Sequence, residues 1–287
     1  MSSPARRGPL QWTVAVPLLG LLLLAVSWPK TEQPLLLALV AVVLVGAVLA
    51  AVHHAEVVAH RVGEPFGSLV LAVSVTVIEV GLIVMLTLGG GEGAATYARD
   101  TVFAALMISL NGIVGISLLL GAMRHGVVAF NASGSGAALS TVVALASVCL
   151  VLPGFTVSEA GLEYTGSQLV FARHGYAVVG VVIALLVLAP ESIAAALNAA
   201  RDRVQVSLNL AFGSSMASIG LTIPTIAVAS IWLEGDLLLG LEPMQIVLLL
   251  ITVVVATLTV VPGRAKPIQG VVHLALMATF LFFSLVP

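Results

Sequence analysis

Apolar residues fall into nine long runs, approximately 9–28, 34–58, 66–88, 101–122, 137–153, 176–198, 204–231, 244–261 and 268–286, and the charged residues gather in the joints between them. A bilayer is crossed by a helix of about 20 apolar residues. The pattern therefore predicts nine transmembrane helices joined mostly by short loops.

Three acids break this pattern by standing inside the runs: Glu56, Glu79 and Glu191. Glu79 is the only charged residue between Phe66 and Leu88. A charge near the bilayer centre costs on the order of 3 kcal/mol on insertion scales, so such groups face a cavity or a partner and often belong to an ion or proton path. Glu191 directly follows Pro190 in the run that begins at Tyr176. Proline removes a backbone donor and frees a carbonyl one turn back, a device by which discontinuous helices offer oxygen to a cation. Glu56 has His53, His54, His60 and Arg61 around it at the end of a run and reads as structural.

Orientation follows from the basic residues of the short loops. With the N-terminus in the cytoplasm, Arg6, Arg7, Arg61, Arg124, Arg201, Arg203, Arg264 and Lys266 lie inside, and only Lys30, Arg99 and Arg173 lie outside. The Glu79 run then goes outward and the Glu191 run inward. Each is followed by a similar unit: Arg99-Asp100-Thr101-Val102 opens the next run in one case, and Arg201-Asp202-Arg203-Val204 in the other. Asn111-Gly112 and Gly213-Ser214 stand at equal distances beyond those arginines. Two related units in opposite orientation, each with a buried acid, are the pattern of an inverted-repeat transporter with its site near the midplane.

Composition agrees with a membrane environment and narrows the chemistry. Of 287 residues, 60% are hydrophobic and 8% charged, and mean hydropathy is +1.19, against roughly 25% charged residues in a soluble domain. A net charge of −2 argues against nucleic-acid partners, and the single Cys149 against a disulfide framework or a cysteine zinc site. No GxxxxGK[ST] pattern is present, so no ATP site is expected. The basic start, Met1–Arg7, precedes an apolar run without a small-residue cleavage site, which reads as a first span rather than a signal peptide.

Two carboxylates facing each other among hydroxyl and amide oxygens suit a hard cation such as calcium, which takes six to eight oxygen ligands. Candidate neighbours are Ser74, Thr76, Ser109 and Asn111 in the first unit and Asn209, Ser214, Ser215 and Ser218 in the second. The preferred ligand set is Glu79, Glu191, Ser109, Asn111, Ser214 and Ser215. Helix packing is the competing role for each small polar residue.

The stretches GEPFGSLVLAVSVTVIEVGLIVML, RDTVFAALMISLNGIVGISLLLGAMRHGVVAFN and PESIAAALNAARDRVQVSLNLAFGSSMASIGLTIPT resemble the two α-repeats of the calcium/proton exchanger family. The likeness is to its bacterial sodium or potassium and calcium/proton antiporter branch, and it spans most of residues 40–287. It implies an all-α polytopic membrane protein with the inverted-repeat cation exchanger fold, here with about nine transmembrane helices where the family has eleven. By resemblance Glu79 and Glu191 occupy the family's two essential acidic positions, and Asn111 and Gly213-Ser214-Ser215 lie on its repeat-pairing helices. The implied organisation is N-terminal helices at 1–62, a first repeat half at 63–153 and a second at 154–287, shortened near 166–176. Many members carry Gly-Asn just ahead of each acid, whereas this chain reads SVTVIE and LVLAPE, which widens the expected cargo from calcium to sodium or potassium.

The expectation is a secondary active transporter, not an enzyme, that exchanges cations for protons in the inner membrane. It needs no cofactor beyond the transported ions, and its surroundings are the lipid bilayer, cations and protons. The alternatives are a passive cation channel, an inactive membrane scaffold, and an intramembrane serine protease built on Ser214 or Ser215 with His273.

Overall fold

Each of the nine predicted runs carries a helix in the computed structural model, which describes residues 11–27, 33–62, 66–89, 94–155, 176–232 and 238–285. The join at 156–175, which includes the predicted shortening, lies outside the described residues. Helices α1 (Trp12–Ser27), α2 (Pro34–Val62) and α3 (Phe66–Leu88) come first. The fourth span comprises α4 (Tyr97–Met107), a widened π-helical segment at Ile108–Ile113, and α5 (Val114–His125). The fifth is α6 (Ala132–Ala146) followed by a π segment at Ser147–Val151. Then come α7 (Tyr176–Ala200) and a seventh span made of α8 (Val204–Ala217), a π segment at Ser218–Thr222 and α9 (Ile223–Ala229). Helices α10 (Pro243–Val260) and α11 (Pro267–Leu285) complete the order. Among the described residues seven helices are long and apolar enough to cross a membrane, and Trp12–Val26 and Val73–Leu88 are shorter apolar helices.

Helix ends explain where the structure departs from the apolar runs. The fifth span begins at Ala132 rather than near 137 because the Asn131 side chain accepts a hydrogen bond from the Gly134 N–H at 3.0 Å, capping a small-residue first turn that carries no apolar signal. Helix α10 starts on Pro243 with a capping box between Glu242 and Gln245. Helix α7 runs unbroken through Pro190, so the discontinuity expected there is absent. Regular α-helix gives way in the π segments instead. Two of these, Ser147–Val151 and Ser218–Thr222, end two residues before a proline, Pro153 and Pro224. A proline cannot donate to the carbonyl four residues back, so the turn ahead of it readily relaxes to a wider one.

The chain divides into two units, Met1–Ile78 and Glu79–Pro287. In the first, α1 and α2 pair closely: a Cβ on Gly46 would stand 2.8 Å from Val16 Cγ1, and His54 Nε2 lies 3.2 Å from the Thr13 carbonyl oxygen. Glu56 sits 3.8 Å from His53 with both side chains about half exposed, at 47% and 48%, which fits its structural reading.

In the second unit the directions of the spans can be read from contacts. Gly180, near the start of α7, lies against Asp100 and Thr101, while Gly121, near the end of α5, lies by Ala199. Thus α7 runs parallel to the fourth span, as the alternation of nine predicted spans requires. Gly121 also meets Val204, and Ile226 clusters with Tyr97 and Ala98, so the seventh span runs antiparallel to the fourth. A two-residue antiparallel ladder, β1 (Val128–Ala129) with β2 (Arg264–Ala265), ties the loop after α5 to the loop before α11, placing both at the same end. At the opposite end Arg99 donates to Asp100 at 2.8 Å, to the Gly240 carbonyl at 3.2 Å and to Glu242 at 3.3 Å. A cavity of about 580 Å³ opens beside this cluster, lined by Phe103, Phe280 and Phe283 among others.

Candidate functional site

Glu79, the first residue of the second unit, is buried, with only 2% of its surface exposed. The Thr222 hydroxyl donates to its Oε2 at 2.7 Å. The Ser218 hydroxyl addresses the same carboxylate, and Glu191 lies near enough for its charge to act on it. Ser218 and Thr222 are the two ends of one π segment, four residues apart and therefore on one face of the turn. The widened turn puts the Thr222 hydroxyl on the acid and Ser218 beside it.

Of the six preferred ligands, Glu79 and Glu191 lie near enough for their charges to interact, and the other four differ in burial and in hydrogen bonding. Ser109 is fully buried and its Oγ has no hydrogen-bond partner among the described residues. Asn111 is also fully buried, but its carboxamide is engaged elsewhere. Its Nδ2 donates to Thr252 Oγ1 at 2.9 Å, and its Oδ1 lies 3.2 Å from His273 Nδ1. Ser215 donates to the Ala211 carbonyl within its own helix at 3.0 Å, and Ser214 is half-buried. Asn209 is exposed and accepts from Gln205 at 2.8 Å. His273 is engaged by Asn111, Thr259 and the Leu110 backbone rather than by Ser214 or Ser215.

Thr222 is the residue that sequence reasoning passed over, and Ser218 was named only as a secondary neighbour. The signal was present in the order Ser218, Gly220, Thr222, Pro224: hydroxyls one turn apart immediately before a helix-internal proline. Among the described residues no three His, Cys, Asp or Glu side chains converge on one metal-sized site.

The sequence profile of the sodium/calcium exchanger protein family matches residues 32–172 and 165–286. The chain belongs to the sodium/calcium exchanger family. Its relatives include the "Putative ionic transporter y4hA" of Sinorhizobium fredii, 36% identical over 353 aligned residues that cover 96% of each chain. Another is the sodium-potassium/proton antiporter ChaA of Escherichia coli, 27% identical and covering 92% of this chain and 93% of that one. Among solved structures, native YfkE superposes with a TM-score of 0.75 at 14% identity, over 96% of this chain and all of that one. The H+/Ca2+ exchanger CAX gives 0.59 at 14% identity, over 96% and 90%. At that identity the likeness shows the fold, that of a multi-pass helical cation exchanger. The alignment with the Sinorhizobium relative is 353 positions long and this chain has 287 residues, so at least 66 positions, the difference of the two, have no counterpart here.

Proposed function

We propose that this protein is a secondary active antiporter that exchanges a cation, calcium first and sodium or potassium next, for protons across the bacterial inner membrane. The observation that carries the reading is the Glu79 cluster: a buried carboxylate held by the Thr222 hydroxyl, with Ser218 and Glu191 close by. A bare carboxylate in a low-dielectric interior is costly and needs a proton or a cation beside it. Proton and cation therefore compete for the same two acids. If access changes sides only when the charge is compensated, inward proton flow drives outward cation flow. The names of the Escherichia coli relative and of the CAX structure, an antiporter and an exchanger coupled to protons, support this assignment.

Purified protein in proteoliposomes tests the proposal. An imposed pH gradient should drive cation uptake against its own gradient, whereas a passive channel would only dissipate it. Complete absence of flux would favour the scaffold reading, in which the positions lacking relative to the Sinorhizobium relative have removed activity. Replacing Thr222 by Val keeps shape but removes the hydroxyl that donates to Glu79. A hydrogen bond to a charged group is worth about 1.5–3 kcal/mol, so apparent cation affinity should change by roughly tenfold or more. Unchanged affinity would remove Thr222 from the site.

Orientation has its own test. With the N-terminus inside, and Cys149 replaced, a cysteine at Ser133 should react with an impermeant thiol reagent from the cytoplasmic side and one at Gly235 from the outer side. Gly235 lies outside the described residues. Labelling of both from one side would contradict the inverted arrangement.

A further inference from the structure

His273, Thr252 and Thr259 have no part in the exchange chemistry described above, yet His273 and Thr252 are 0% exposed and Thr259 only 4%. An imidazole in a membrane helix is costly unless both nitrogens are paired. Here both are: Nε2 lies 3.1 Å from Thr259 Oγ1 and Nδ1 lies 3.2 Å from Asn111 Oδ1, while Asn111 Nδ2 continues to Thr252 at 2.9 Å. The backbones of α5 and α11 are brought together by two glycines. A Cβ on Gly270 would stand 2.6 Å from Leu119 N and 2.8 Å from the Gly115 carbonyl, and one on Gly115 would stand 3.1 Å from His273 Cβ. That crossing is what lets His273 reach Asn111.

Asn111 lies in the π segment Ile108–Ile113, and the network anchors that segment to α10 and α11. Ser109, two residues earlier, stands about half a turn round the helix from Asn111. The other neighbours of the segment are α7, which carries Glu191, and α8, which carries Ser214 and Ser215. Ser109 has a buried hydroxyl with no partner among the described residues.

We propose that His273 is a positioning residue for cation binding: by holding Asn111 against α10 and α11 it fixes the π segment and keeps the Ser109 hydroxyl turned toward the acid-bearing side. This rests on the antiport reading. One residue of slip in a helix rotates side chains by about 100°, so loss of the anchor misdirects Ser109 without touching either carboxylate.

The experiment measures cation-driven proton flux in proteoliposomes for the wild type and for His273→Ala, His273→Asn, Asn111→Ala, the double variant His273→Ala/Asn111→Ala, and Thr259→Val. His273→Ala should raise the apparent KM for the cation about five- to tenfold, the scale of one lost buried hydrogen bond, with Vmax held within about twofold. His273→Asn places an amide where Nδ1 was and should restore most of the affinity. The double variant should be no worse than Asn111→Ala alone, since both act through one network. If His273→Ala does not fold, Thr259→Val removes only the far partner and should show the same KM-selective change at smaller size. An unchanged KM in the variants that fold, or additive losses in the double variant, would overturn the positioning role while leaving exchange intact. A wild type without cation-driven flux would overturn the antiport reading itself.

Discussion

Glu79→Gln and Glu191→Gln should each reduce exchange to background while the protein still folds and inserts. Glutamine has nearly the shape of a protonated glutamate and is cheaper to bury than a carboxylate, so the neutral variants should not lose stability. What they lose is alternation between a proton-bearing and a cation-bearing state. In Glu79→Gln the Thr222 hydroxyl still finds an oxygen to donate to at the position where it now lies 2.7 Å from Oε2. Loss of activity in a folded variant would therefore report on charge, not on packing. Glu56→Gln provides the contrast, because Glu56 is about half exposed beside His53 and should transport much as the wild type does. The measurement is proton flux in vesicles with protein amount checked in the membrane fraction. Full exchange by either acid variant would remove that residue from the proposed site.

Gly180→Val should have the largest effect on stability. A Cβ at this position would stand 2.8 Å from the Asp100 carbonyl carbon and 2.9 Å from the Thr101 N, so the obstruction is backbone that cannot swing aside. Overpacking of a well-packed interior typically costs about 1–3 kcal/mol and more where backbone must move. The displaced element is α7, which holds Glu191 eleven residues further on. Thermal unfolding in detergent should show a markedly lower midpoint or no folded protein, with Gly180→Ala intermediate. A wild-type midpoint for Gly180→Val would mean that the fourth span and α7 do not cross this closely.

The lengths and order of the spans were legible because a bilayer imposes one simple rule, about twenty apolar residues per crossing. The rule also exposed Glu79 and Glu191, since acids within such runs are rare. It did not locate the π segments, whose widening depends on prolines and packing downstream rather than on hydropathy. For that reason Thr222 was missed: four residues beyond Ser218, it reads as an ordinary small residue of an apolar helix until the fold puts its hydroxyl on Glu79. Asn111 shows the opposite limit. A buried amide on a repeat-pairing helix reads as a cation ligand, but which way it points depends on Thr252 and His273, more than 140 residues away in sequence. Pro190 was legible as a residue and not as a break, because its helix continues through it.

The central claim is that proton and cation share Glu79 and Glu191, and equilibrium cation binding to purified protein as a function of pH tests it most directly. Titrations with calcium and with sodium at several pH values between about 5 and 9 span the working range of such a linkage. Competition makes apparent affinity weaken as pH falls. A divalent cation that displaces two protons should lose up to about a hundredfold in affinity per pH unit, and a monovalent cation that displaces one at most about tenfold. Glu79→Gln should flatten the dependence. Affinity that stays constant across the range in the wild-type protein would contradict the account, because proton and cation would then not meet at these two carboxylates.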